Sequence, residues 1–196
     1  MEKQAKVCTG ENGREWYEWI QILVWTVLVI VGIFTVFCRM LGVDGHSMVP
    51  TLQHGDLMMV TNPVWAGDYG QGDVVIVSRP DFNGGRPVVK RVIATAGQTV
   101  DIDFGSGSVF VDGRLLEEPY IAEPTYLSEG MVFPLTVPEG RIFLMGDNRN
   151  NSDDSRDPRL GTVDVRSVIG KAVVIAFPGI SQDSGRREFS RVGAIC

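Results

Sequence analysis

Residues 73–93 read DVVIVSRPDFNGGRPVVKRVI and carry the clearest folding signal in this sequence of 196 residues. Two apolar runs rich in β-branched residues, 73–78 and 88–93, flank a turn-forming segment at 82–85. Apolar runs on either side of a glycine-containing turn are typical of a β-hairpin. Alternation of side chains along the second run places Lys90 on an otherwise apolar face of its strand.

Signals for short strands and turns continue through the rest of the chain. A second hairpin is predicted around the Asp-Gly turn at 112–113, and further strands are predicted at 141–145 and 171–177. No amphipathic helix of ten or more residues is predicted after residue 38. The sequence therefore indicates a mainly β fold, a partly closed or sandwiched sheet. Residues 179–196 are rich in Ser, Gly and Arg without an apolar period, so we expect a loose, flexible tail there.

A long apolar segment precedes this β region. Residues 19–38 read WIQILVWTVLVIVGIFTVFC and contain no charged residue. A helix of this length would span about 30 Å of hydrocarbon, and the sequence around residue 38 offers no cleavage site of the small-residue type. Three Lys or Arg residues precede the segment, and only Arg39 follows it closely, which favours a cytoplasmic N-terminus. We expect an N-terminal tail at 1–18, a membrane anchor at 19–38 and a globular part outside the cytoplasm.

The charge balance and the cysteines exclude several classes of protein. Eighteen Lys and Arg residues stand against 24 Asp and Glu residues, for a formal net charge of −6. A nucleic-acid-binding domain needs a basic surface, so no nucleic-acid partner is expected. The cysteines at positions 8, 38 and 196 lie outside the globular part, which argues against a disulfide framework and a cysteine metal cluster.

Two other groups of polar residues could suggest a metal site. Asp44, His46, His54 and Asp56 have suitable ligand atoms, but their spacing matches no known set of ligands. The polar loop at 146–157 lacks the glycine and the final glutamate of an EF-hand. We therefore expect no metal and no cofactor.

Ser47 is a candidate nucleophile in the segment that follows the apolar stretch. A serine hydroxyl reacts poorly until a base removes its proton. If Lys90 is buried, its pKa falls and its neutral amine could act as that base. A Ser-His-Asp triad is the alternative, although His46 adjoins Ser47 and His54 would need a tight chain reversal to reach it. Taken singly, neither residue indicates catalysis, since a strand lysine is usually a solvated residue and a serine in this position is typical of a turn.

Five segments together resemble the bacterial type I signal peptidases, which are membrane-bound serine endopeptidases with a Ser–Lys dyad. The resemblance covers about residues 19–178, with the segments in the order and spacing of the family. The segments are the apolar stretch at 19–38, GHSMVPTL at 45–52, GDVV at 72–75, KRVI at 90–93 with Gly97, and GDNRNNSDDSR at 146–156 with Leu160-Gly161.

The resemblance implies a role for each matching residue. Ser47 would be the nucleophile, and its backbone N–H would donate to the oxyanion. Lys90 would be the general base, and Ser152 would hydrogen-bond and orient it. Asp154 and Arg156 would form a structural ion pair beside the site.

Two further positions and the domain division follow from the same resemblance. Gly45 stands where some members carry a second oxyanion donor, and Met48 is a reasonable wall for the substrate pocket. Residues 39–178 would form the extracytoplasmic catalytic domain. Its β-sheet core would take up about 43–97 and 141–178, with a smaller inserted β-region at about 98–140.

The implied activity is the removal of N-terminal signal peptides from exported pre-proteins, after small residues at positions −1 and −3. The implied partners are those signal peptides and the lipid bilayer, close to the export translocon. Two alternatives stay open: an anchored β-domain that binds partners without catalysis, and a self-cleaving regulator that uses the same dyad. The regulator would normally carry a DNA-binding region, for which residues 1–18 are too short and too acidic.

Overall fold

The computed structural model describes residues 11–181 and 185–195, without the side chains of 11–15, 33–37, 65 and 66. The chain forms two compact units, residues 1–38 and residues 39–196. Helix α1, Glu11–Phe37, makes up most of the first unit. Among the described residues we find no helix with both the length and the hydropathy of a membrane span. Much of the predicted tail at 1–18 lies outside the described residues.

The second unit is built from two β-sheets. Its strands are β1 Cys38–Gly42, β2 Leu57–Thr61, β3 Val74–Val77, β4 Val88–Thr95, β5 Thr99–Asp103, β6 Ser108–Val111, β7 Arg114–Leu115, β8 Leu135–Thr136, β9 Arg141–Met145, β10 Val163–Asp164, β11 Val168–Phe177 and β12 Gly193–Ala194. The larger sheet has the order β1-β2-β11-β3-β4-β9-β10, with β12 paired to β11. The smaller sheet has the order β7-β6-β5-β8 and lies within the stretch 98–140. A short helix, α2, spans Pro63–Ala66 between β2 and β3.

The hairpin predicted from residues 73–93 is confirmed. Strands β3 and β4 pair antiparallel, with Val75 opposite Lys90. The turn between them uses left-handed backbone at Asn83 and Gly84, where φ is 50° and 63°. All four residues of β3 are buried, because it lies between β11 and β4 and is covered on both faces. The mainly β prediction for this part of the chain is therefore also confirmed.

The two sheets share an apolar cluster. Ile93 of β4 and Phe143 of β9 pack in one cluster with Val100 of β5 and Val109 of β6, and all four side chains are buried. Burial of such side chains contributes about 1.5–3 kcal/mol each. The smaller sheet is thereby packed against the strand that carries Lys90.

The C-terminal segment differs from the loose tail that the sequence predicts. Strand β12 pairs with β11, and Ile180 forms a bridge with Arg187. Arg191 forms a salt bridge with the fully buried carboxylate of Asp56. Backbone pairing and the Arg191–Asp56 ion pair hold this polar segment in its described part, and neither interaction leaves a periodic signal in the sequence.

We predict that Gly170→Ala destabilises the second unit. A Cβ at this position of β11 would overlap the carbonyl oxygen of Thr61 and lie 2.5 Å from Val60 Cγ1. Overpacking of this kind typically costs about 1–3 kcal/mol, to be measured as the free energy of unfolding in urea. Gly42→Ala is the matched control, because a Cβ there meets nothing within 4 Å. Equal stability of the two variants would contradict the prediction.

Candidate active site

Ser47 lies in a loop of residues 43–56 that connects β1 to β2, and we call it the Ser47 loop. Its two ends are joined by hydrogen bonds from Val43 N to Asp56 O (2.8 Å) and from Gly55 N to Val43 O (2.9 Å). Gly45 has a φ of 114°, a conformation that only glycine adopts without strain. Met48, the residue after Ser47, has a buried side chain in an apolar core cluster, which fixes this point of the loop.

Lys90 and Ser47 are in direct contact. Lys90 Nζ donates a hydrogen bond to Ser47 Oγ over 2.7 Å, although the two residues are 43 positions apart in the sequence. Lys90 is only 3% exposed, so it is a buried residue and not a solvated strand residue. The structure thus places in contact the two residues that the sequence analysis considers as nucleophile and base.

The burial of Lys90 shifts its protonation equilibrium toward the neutral form. Burial lowers the pKa of Lys90 below its ordinary value, while the carboxylates of Asp154, Asp153 and Glu129 oppose this shift. Burial in turn raises the pKa of Glu129 to about 7. A neutral amine is the form that can accept the hydroxyl proton of Ser47.

Ser152 lines the same cavity as Ser47 and Lys90, but its hydroxyl has a different partner from the expected one. Ser152 Oγ donates to Asp154 Oδ2 over 3.0 Å, and it forms no hydrogen bond with Lys90 among the described residues. Hydrogen bonds to a charged carboxylate are the stronger ones, and Asp154 lies two residues along the same loop, so the hydroxyl proton of Ser152 is directed to Asp154. The predicted orienting hydrogen bond is therefore not formed in this structure.

The ion pair expected between Asp154 and Arg156 is present and fully buried. Arg156 Nε and Nη2 donate to the two oxygens of Asp154, each over 2.8 Å. Asp154 also accepts from Gly146 N over 2.9 Å, and Arg156 donates to Arg149 O over 2.6 Å. The pair therefore closes the loop 146–156 on itself beside Lys90.

Two residues that the sequence reasoning did not single out connect this loop to the Ser47 loop. Asn148 donates from its backbone to Ser47 O (3.0 Å) and from its side chain to His46 O (3.1 Å). A Cβ on Gly146 would overlap Ser152 Oγ and lie 2.5 Å from Ser47 O. The only sequence signal for either residue is its place in the motif at 146–156.

A second buried ion pair fixes the strand that carries Lys90. Arg91 donates to both oxygens of Asp147, over 2.9 and 2.7 Å. Thr51 Oγ1 of the Ser47 loop donates to the same carboxylate, and the ring of Tyr120 lies 3.9 Å from the Arg91 guanidinium carbon. Strand β4, the Ser47 loop and the end of β9 therefore meet at one carboxylate.

An apolar cavity of about 340 Å³ opens beside Ser47 and Lys90. Its apolar walls include Val43, Met48 and Ile76. Within the described residues, Ser47 N–H has no hydrogen-bond acceptor, which leaves it available to a developing oxyanion.

The geometry pairs Ser47 with Lys90 in place of a histidine, and it also brings three carboxylates together. The hydrogen-bond partner of Ser47 Oγ is Lys90, and His54 Nδ1 instead accepts from Gly45 N over 3.3 Å. Carboxylate oxygens of Glu129, Asp153 and Asp157 lie within 4.8 Å of one another. Two of these carboxylates are already paired with arginines, Glu129 with Arg156 and Asp157 with Arg159, so the group is best described as an ion-pair network.

Comparison with known proteins identifies close relatives. Residues 16–177 match the family described as signal peptidase, peptidase S26. Signal peptidase I of Bacillus licheniformis is 33% identical over 170 residues, which cover 83% of this chain and 89% of the relative. Signal peptidase I T of Bacillus subtilis is 32% identical over 185 residues, which cover 90% and 91%. A crystal structure of a signal peptidase I from Enterococcus faecalis is 32% identical, with a TM-score of 0.43 over 53% of this chain and 96% of that chain.

We predict that the rate of peptide cleavage rises with pH as Lys90 loses its proton. Because burial lowers the pKa of Lys90, the rate should level off below the ordinary lysine value of about 10.4. Glu129→Gln removes a negative charge that raises the pKa of Lys90, so its rising limb should move to lower pH. The measurement is kcat/KM from about pH 5 to about pH 10. A flat profile, or a shift to higher pH in Glu129→Gln, would contradict this assignment.

Proposed function

We propose, because the chain belongs to the signal peptidase family (peptidase S26), that this serine peptidase removes N-terminal signal peptides with Ser47 as nucleophile and Lys90 as general base. The observation that carries the assignment is the 2.7 Å hydrogen bond from a buried lysine amine to a serine hydroxyl. Burial of a lysine amine is unfavourable to folding, and its placement against a hydroxyl supports a chemical role.

The geometry supports a two-step acyl transfer. Neutral Lys90 accepts the proton of Ser47 Oγ as that oxygen attacks the carbonyl carbon at the cleavage site. The N–H of Ser47 stabilises the resulting oxyanion, and protonated Lys90 then gives its proton to the leaving amine. An ester between Ser47 and the signal peptide remains. Lys90 next takes a proton from water, whose oxygen attacks the ester. As the ester bond breaks, Lys90 returns that proton to Ser47 Oγ, and the signal peptide leaves with a free carboxylate.

The apolar cavity beside Ser47 supports selection of the substrate by its side chains. Part of its wall consists of buried residues with fixed positions in one core cluster, namely Val43, Met48 and Ile76. We therefore expect this wall to be rigid. We assign the residue before the cleavage site and the one two positions earlier to this cavity, and we expect both to be small. Met48 would then set the depth available to a side chain next to Ser47.

Anchoring in the cell membrane completes the proposal. The 20 uncharged residues at 19–38 support a single span, and the excess of Lys and Arg before it supports a cytoplasmic N-terminus. The catalytic domain would then act outside the cytoplasm, where pre-proteins leave the export translocon. Confining enzyme and signal peptide to one membrane raises their effective concentration.

We predict that Ser47→Ala and Lys90→Met each reduce cleavage of a synthetic signal-peptide substrate by at least about a thousandfold, because each removes one half of the dyad. Lys90→Met should stay folded, since a methionine fits the apolar surroundings without a buried charge. His54→Ala and His46→Ala are the controls and should retain most of the activity. The assay uses the detergent-solubilised full chain. Unchanged cleavage by Lys90→Met would contradict the dyad assignment. A thousandfold loss of activity in either histidine variant would instead support a Ser-His-Asp triad.

A further inference from the structure

Arg191 reaches the Ser47 loop from a part of the chain that lies beyond the family match, which ends at residue 177. It ends the short 3-10 helix Phe189–Arg191. Its guanidinium donates to both oxygens of Asp56, from Nη1 over 3.0 Å and from Nη2 over 2.7 Å. Nη2 also donates to the backbone carbonyl of Thr51 over 3.1 Å. One side chain thus holds two points of the loop that carries Ser47.

Asp56 is the centre of this contact. Its carboxylate is fully buried, and it also accepts from Gln53 N (2.8 Å) and Gly179 N (2.7 Å). The backbone carbonyl of the same residue accepts from Val43 N and closes the loop. A buried carboxylate needs a positively charged partner, and Arg191 supplies one through a bidentate interaction.

The segment that carries Arg191 is itself fixed to the larger sheet. Strand β12 pairs with β11 through Ala194 opposite Val174, and Ile195 N donates to Val173 O over 3.0 Å. Strand β11 also pairs with β2, which begins directly after Asp56. The segment that carries the guanidinium and the strand that follows the Ser47 loop are therefore both paired with β11.

We propose that Arg191 is a positioning residue for Ser47, and this inference rests on the proposed function. Its bonds to Asp56 and Thr51 fix the half of the loop that follows Ser47, at the point where the chain returns to β2. The same loop segment is also held through Thr51 Oγ1, which donates to Asp147. The backbone around Ser47 is then kept in register with Lys90 on β4. Misplacement by about 1 Å can reduce a rate by about a hundredfold, so a contact remote from the reacting atoms can govern turnover.

The test compares Arg191→Met, Arg191→Lys and Arg187→Met in the detergent-solubilised full chain with a synthetic signal-peptide substrate. Arg187 is the matched control, because it lies in the same segment and bonds to Pro178 O outside the Ser47 loop. The measurements are kcat and KM, taken well below the unfolding temperature of each variant.

Arg191→Met should lower kcat by about tenfold to a hundredfold with little change in KM. Arg191→Lys should recover part of that loss, because an ammonium can bind Asp56 but lacks the planar fork of a guanidinium. Arg187→Met should stay within about twofold of the parent chain.

A parent-like kcat in Arg191→Met, even with a lower unfolding temperature, would make Arg191 a stability contact only and overturn the inference. Should Arg191→Met fail to fold, Arg191→Lys decides in the same way: a reduced kcat supports positioning, and a parent-like kcat overturns it. An equal loss of kcat in Arg187→Met would also overturn it. Failure of the proposed function has a different signature, since the parent chain itself would then leave the substrate uncut.

Discussion

The buried hydrogen bond between Lys90 and Ser47 is the constraint to which the surrounding structure is fitted. To act as the proposed base, the amine must be buried enough to lose its proton, yet the loop beside it carries Asp153 and Asp154, whose negative charge favours the protonated form. The structure reduces this conflict by pairing Asp154 with Arg156, which is itself buried. The carboxylate is then largely satisfied by a guanidinium, and the lysine remains in an environment dominated by burial.

Three separated parts of the sequence must meet for this contact to exist. Strand β4 carries Lys90, and the Ser47 loop carries the hydroxyl of Ser47. The loop 146–156 holds the Ser47 loop through the hydrogen bonds of Asn148. None of these contacts is local, so their geometry depends on the pairing of β4 with β3 and β9. Arg191 adds a fourth part of the chain, through its bonds to Asp56 and Thr51.

The parts of the account that depend on local patterning could be predicted from the sequence. The hairpin of β3 and β4 is one, because β-branched runs around a glycine turn specify both the strands and their pairing. The burial of Lys90 could not be predicted, since the alternation of side chains along a strand assigns Lys90 to one face of the sheet but does not show what covers that face. The partner of Ser152 could not be predicted, because a hydroxyl close to both an amine and a carboxylate bonds according to distances that only the fold sets. Arg191 left no signal, since a single arginine in a polar segment resembles any solvated residue.

The protonation state of Lys90 is the most direct test of this account. Lysines occur only at positions 3, 6, 90 and 171, so a chain labelled with ¹⁵N at lysine gives few side-chain signals in an NMR titration. The signal that disappears in Lys90→Met identifies the buried amine. The account predicts that this amine loses its proton well below the ordinary lysine pKa of about 10.4. Titration at or above that value would show a charged lysine beside Ser47 and would contradict the mechanism.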